Sequence, residues 1–135
     1  MPGRLLNPPE VYDPAAVGMS QGVVDERSGL VFVSGQVAWD REGRVVGKSV
    51  EEQTALALEN LSAVLAAAGC TAADVISVRV YVRGELAEHM PACVPALAAF
   101  FGAALPALTG LGVASLATPD TLIEIEVVAR GPVAA

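Results

Sequence analysis

Apolar and polar positions alternate most cleanly near the end of the chain, over Leu122–Ala129. Successive strand side chains point to opposite faces, so Ile123, Ile125 and Val127 share one face and Glu124 and Glu126 the other. The apolar row can seal a core. The two carboxylates sit about 7 Å apart by the strand rise. At that range each raises the pKa of the other unless water or a partner relieves it. Either they form a solvated sheet face or one is aimed into a cleft. Val75–Val82 alternates in the same way, with Val78, Val80 and Val82 opposite Ser77, Arg79 and Tyr81. Strands are also predicted at Gln21–Val24, Leu30–Gln36 and Thr109–Leu116, with a short hairpin of Val37–Trp39 and Arg44–Gly47 around Asp40–Gly43. The run Leu30–Val33 ends in Ser34-Gly35-Gln36, where a residue without a Cβ lets another group approach the backbone.

The period changes after Ser49. Ala57, Leu58, Leu61, Val64, Leu65 and Ala68 form one helical stripe, with Ser49 and Glu52 spaced as a capping box and Gly69 as the C-terminal cap. Gln53 and Asn60 flank that stripe and read as amides that satisfy loop backbone. A second helix is predicted from about Met90 to Phe101, with Pro91 in its first turn and Leu97, Phe100 and Phe101 as anchors. The order is β-β-β-α-β-α-β-β. That is an α+β single domain over residues 1–135, a mixed sheet with two helices on one face, led by an extended Pro-rich arm over residues 1–16.

Composition narrows the function classes. Apolar residues make up 53% and charged ones 17%, with only one Trp, two Tyr and three Phe. So greasy a short chain suggests apolar surface buried between subunits. A net charge of −7 repels phosphate backbones and argues against a nucleic-acid partner. No apolar run reaches the ~18 residues of a membrane span, and no signal core is read at the N-terminus, which suggests a cytoplasmic protein. Cys70 and Cys93 have no metal spacing and His89 stands alone, so neither metal nor cofactor is expected.

Three pieces then coincide: Val31-Phe32-Val33-Ser34-Gly35-Gln36, Gln53 with Asn60-Leu61 on a capped helix, and Pro106 through Ala129 ending in Glu124-Ile125-Glu126. Together they resemble the Rid family (YjgF-type, reactive intermediate deaminases). The resemblance implies a chorismate-mutase-like fold and a homotrimer with small-molecule clefts between subunits. It also implies hydrolysis of enamines and imines such as 2-aminoacrylate. By the same resemblance Glu124 handles a water and Ser34 and Gly35 line the pocket, beside Met19, Leu108 and Thr109.

The chain departs from that pattern at its centre. Leu108 stands where the family has the Arg that clamps the substrate carboxylate, Met19 where Tyr is frequent, and Val94 where a pocket Asn is common. No apolar side chain imitates a guanidinium fork. The expected function is therefore chemistry by Glu124 on a small reactive metabolite other than 2-aminoacrylate. The alternative is a non-catalytic trimer that binds a small ligand or serves as a scaffold. A ribonuclease reading, attached to some relatives, comes last because of the charge.

Overall fold

The Leu122–Ala129 alternation becomes the middle of a sheet. A computed structural model describes residues 3–132. Its strands are β1 (Arg4–Leu6), β2 (Gly22–Asp25), β3 (Leu30–Val37), β4 (Val75–Arg83), β5 (Ala107–Val113) and β6 (Ile123–Arg130), with helices α1 (Val50–Ala67) and α2 (Leu86–Phe101). The sheet order is β1-β2-β3-β6-β4-β5. Every pair is antiparallel except β4–β5, and that parallel pair needs the crossover α2 provides. The architecture is the expected α+β layer of a mixed sheet and two helices.

One face carries the core. Ile123, Ile125, Val127 and Ala129 of β6 lie between Val31 and Val33 of β3 and Val78, Val80 and Val82 of β4, all buried. Leu58, Leu61, Val64 and Leu65 of α1 and Cys93, Leu97 and Phe101 of α2 complete the same cluster. Helix α1 is bounded as its sequence suggests. Ser49 Oγ accepts the Glu52 N–H at 3.1 Å, although the Glu52 carboxylate takes the Ser49 hydroxyl instead of its backbone N–H. At the other end Cys70 N–H reaches Leu65 C=O and Gly69 N–H reaches Ala66 C=O, a Schellman closure with Gly69 at φ 74°.

Four boundaries differ from expectation. The first three strands include Arg4–Leu6, inside the Pro-rich arm, where a proline-free stretch can pair with β2 at the sheet edge. The predicted hairpin forms as the single bridge Trp39↔Val45, with Asp40 N–H to Arg44 C=O and Val46 N–H to Ala38 C=O beside it and the Asp40 carboxylate closing the turn on the N–H groups of Glu42 and Arg44. Helix α2 starts at Leu86, not Met90, after a break at Gly84 (φ 100°), and holds Pro91 and Pro95 in its interior. Both prolines lie on the exposed side, so water can satisfy the carbonyls they leave free. Strand β5 runs over Ala107–Val113, not Thr109–Leu116.

The hydropathy reading also needs correction. Leu86–Ala104 has the length and composition of a membrane span, 19 residues at a mean hydropathy of 1.2. In this fold Cys93, Leu97 and Phe101 on that segment pack against the sheet.

Candidate functional site

The question of the two carboxylates is answered by their neighbours. Glu126 receives the Tyr81 hydroxyl and pairs with Arg79 at 3.7 Å. Glu124 accepts no hydrogen bond from a described residue. Burial pushes its carboxyl above the ordinary 4.5, and the charge of Glu126 adds to that rise. The same face of one strand thus holds a committed carboxylate and a free one.

A bulge in β3 places Glu124 against backbone. Val33 pairs with Val127 and Gln36 with Ile125, so Ser34 and Gly35 together oppose one residue of β6. A Cβ at Gly35 would lie 2.5 Å from Glu124 Oε2, so only glycine leaves the carboxylate where it is. Ser34 is pinned as well: its hydroxyl donates to Ser20 C=O at 2.8 Å and its N–H to Gln21 C=O at 2.9 Å.

Around Glu124 opens a cavity of about 740 Å³, lined by Met19, Ser34 and Gly35 and also by Tyr12, Val17, Trp39 and Arg41. That volume lies within the roughly 300–1,000 Å³ of small-molecule sites. Buried amides brace the backbone around it. Gln36 donates to Gln21 Oε1 at 2.9 Å, and Gln21 donates to Tyr12 C=O at 2.8 Å, tying the arm to the sheet. Asn60 donates to Val37 and Trp39 carbonyls at 2.9 and 3.0 Å. Gln53 donates to Gly47 and Asp120 carbonyls and accepts the Leu122 N–H. Both helix amides satisfy loop backbone, as their edge position suggests. The Tyr12 and Trp39 rings lie 5.0 Å apart, and the indole N–H donates to Thr121 Oγ1 at 2.9 Å. Burial raises the Tyr12 phenol, and the Glu124 charge adds to it.

Met19, Ser34, Gly35 and Glu124 therefore meet in one place. Leu108 and Thr109 are elsewhere within the subunit. Leu108 pairs with Val78, a helix-side residue, and lines a separate cleft of about 310 Å³ with Val94, Leu97, Phe101 and Leu105. Thr109 pairs with Arg79 on the opposite face and lines neither cavity. Within one chain Leu108 lies on the helix side of the sheet and Glu124 on the other, so a single subunit does not form the Leu108–Glu124 cleft expected between neighbours. Arg83 donates to Thr118 and Thr121 carbonyls and Arg79 is paired with Glu126, so neither enters the Glu124 cavity. Tyr12, Trp39 and Arg41 were not singled out from sequence. The one signal for them was the sole Trp, three residues beyond the bulge.

The fold and this cavity define a YjgF-type domain. The profile of the family described as Endoribonuclease L-PSP matches residues 12–131. The chain is 39% identical over 107 residues to the RutC family protein YjgH of Escherichia coli, covering 78% of this chain and 79% of that protein. It is 36% identical over 104 residues to the 2-iminobutanoate/2-iminopropanoate deaminase of Rattus norvegicus, covering 69% and 74%. The structure of YjgH superposes with a TM-score of 0.85 at 30% identity, over 98% of both chains. The Rid protein YyfB of Yersinia pestis superposes at 0.72 with 38% identity, over 96% of this chain and 99% of that one. The chain belongs to the Rid (YjgF/endoribonuclease L-PSP) family.

Proposed function

We propose that this chain is a hydrolase of small imines or enamines, with Glu124 as the residue that activates water. The observation that carries the reading is the free, half-buried Glu124 carboxylate held against the Gly35 backbone in a cavity of ligand size. As a carboxylate, Glu124 takes a proton from water while the oxygen adds to the imine carbon. The proton then passes to nitrogen to give a carbinolamine; Glu124 next carries the hydroxyl proton to the same nitrogen as the C–N bond breaks, and a carbonyl compound and ammonia leave. A raised pKa brings such a base nearer to neutral operating pH. The name of the Rattus norvegicus relative supports C=N chemistry for this fold.

The 2-aminoacrylate reaction is not the one proposed. Leu108 offers no hydrogen bond to a carboxylate, and a charge-assisted clamp contributes about 1.5–3 kcal/mol. A homotrimer in a reducing compartment completes the reading. The side of the sheet away from the helices exposes Leu5, Phe32, Ile76 and Leu111, which suits burial against a second copy, and both cysteines are free. The apolar Leu108–Val94 cleft favours a second reading, a trimer that binds an apolar ligand without turnover.

Glu124→Gln separates the two. Hydrolysis of a panel of imines generated by an amino-acid oxidase, followed as ammonia release, should fall about 10²–10⁴-fold in the variant. Equal rates in wild type and variant, with ligand binding retained, would leave the binding reading in place.

A further inference from the structure

The Glu124 cavity contains a guanidinium that the family pattern does not foresee. Arg41 stands exposed on the Asp40–Gly43 turn and is the one cation in the cavity lining, which also holds the carboxylates of Asp13, Glu42 and Glu124. The turn is built so that Arg41 keeps its charge uncommitted. Arg44 takes both acidic groups of that turn, Asp40 at 3.0 Å and Glu42 at 3.4 Å. Asp40 also caps the N–H groups of Glu42 and Arg44. Arg41 has no ion pair or hydrogen bond among the described residues, whereas Arg79 and Arg83 are engaged elsewhere. A free guanidinium at the wall of a cavity is what a carboxylate ligand recognises, through two parallel N–H···O bonds.

The remaining wall specifies the other end of such a ligand. Tyr12 and Trp39 form a tilted aromatic pair, and Val17 and Met19 add apolar surface. Resting on the proposed Glu124 site, we propose that Arg41 is its anion-holding and specificity-determining residue. The site then takes a carboxylate with an apolar or aromatic body, oriented with its charge toward the turn and its body against Tyr12 and Trp39. This clamp enters from the opposite side of the sheet to Leu108, so it does not depend on the lost family position.

The test uses phenylacetate and its uncharged isostere phenylacetamide as unreactive probes, titrated by NMR into wild type, Arg41→Gln and Arg27→Gln. Arg27 is an exposed control on another turn and lines no part of this cavity. Phenylacetate should shift Ser34, Gly35 and Trp39 signals in wild type. Its dissociation constant should rise about tenfold or more in Arg41→Gln, as loss of a charged hydrogen bond predicts. The amide should bind both proteins alike, and Arg27→Gln should match wild type. Carboxylate affinity within twofold of wild type in Arg41→Gln, with the same signals moving, would overturn the role of Arg41 and leave the cavity standing. Perturbation of these signals by neither probe would overturn the cavity as a ligand site, and the inference with it.

Discussion

Two cavities lie on opposite faces of one sheet, one around Glu124 and one around Leu108. The Glu124 cavity holds Ser34 and Glu124, is walled by Tyr12 and Trp39, and is shaped by a bulge that the buried Gln21 and Gln36 support. The Leu108 cleft is lined by Val94, Leu97, Phe101 and Leu105, and no charged side chain enters it. In the first, Ser34, Trp39 and the Gln21–Gln36 pair behind the bulge each have a hydrogen bond to break. In the second, Leu108 is 50% exposed and little depends on it within the subunit. The difference means that position 108 can vary without displacing Glu124 inside one subunit. Nothing in the packing of one subunit couples the two positions. Only a neighbouring copy could bring one chain's Leu108 to another chain's Glu124.

The coupling between support and site should be largest at Gln53. Gln53→Ala leaves the Leu122 N–H and the Gly47 and Asp120 carbonyls without their partner at the start of β6. Unsatisfied buried groups cost about 1–3 kcal/mol each, partly relieved by water. A loss of about 3 kcal/mol by urea unfolding is expected. NMR signals around Glu124 should broaden while those of Val94 and Leu108 stay sharp. A loss below about 1 kcal/mol would mean that β6 is positioned by packing alone.

Gly35→Ala should come next. The added methyl overlaps the Glu124 carboxylate, and overpacking of this kind costs about 1–3 kcal/mol. Combining it with Glu124→Ala should recover most of that stability, because the colliding group is gone. Additive losses in the double variant would place the strain elsewhere. Leu108→Ala, by contrast, should cost about 1 kcal/mol or less in a dissociated subunit, since half of the side chain is already in water. A larger loss that grows with protein concentration would show Leu108 buried between copies.

The sequence made the layer legible because period-two and helical stripes are local. The rows Val78–Val82 and Ile123–Val127, the Ser49 cap and the Gly69 closure all sit where the pattern puts them. The close approach of another group to Gly35 was also legible, since a glycine in a buried strand lacks the Cβ that would block it. What failed depended on register and on distant partners. The face of Leu108 is decided by its pairing with Val78, and the strand in the arm by an edge that β2 leaves open. Likewise, Arg41 stands out only once Arg44 is seen to hold both neighbouring acids.

The smallest effect is a slope. Glu124 is raised above its ordinary 4.5 by burial and then by Glu126, so the folded protein holds that proton more tightly than the unfolded chain. Between the ordinary and the raised value the native state binds more protons, and stability falls as pH rises through that window. Asp25 and Asp40 act in the opposite sense. Their carboxyls are depressed, chiefly by the Ser28 hydroxyl and by the Arg44 N–H, and lend stability that acid removes. Both remain in Glu124→Gln, as do Glu126, Tyr12, Asp13, Glu42 and Arg41 around the cavity, so the difference between wild type and variant isolates Glu124. That difference, measured by urea unfolding at closely spaced pH from 4 upward, should move against wild type as pH rises and then level off. If Glu124 takes the proton from water, imine hydrolysis should rise through a neighbouring midpoint, because the same carboxylate must be free to act. A stability difference that stays flat across the window would mean that the Glu124 carboxyl is as well solvated in the native protein as in the unfolded chain.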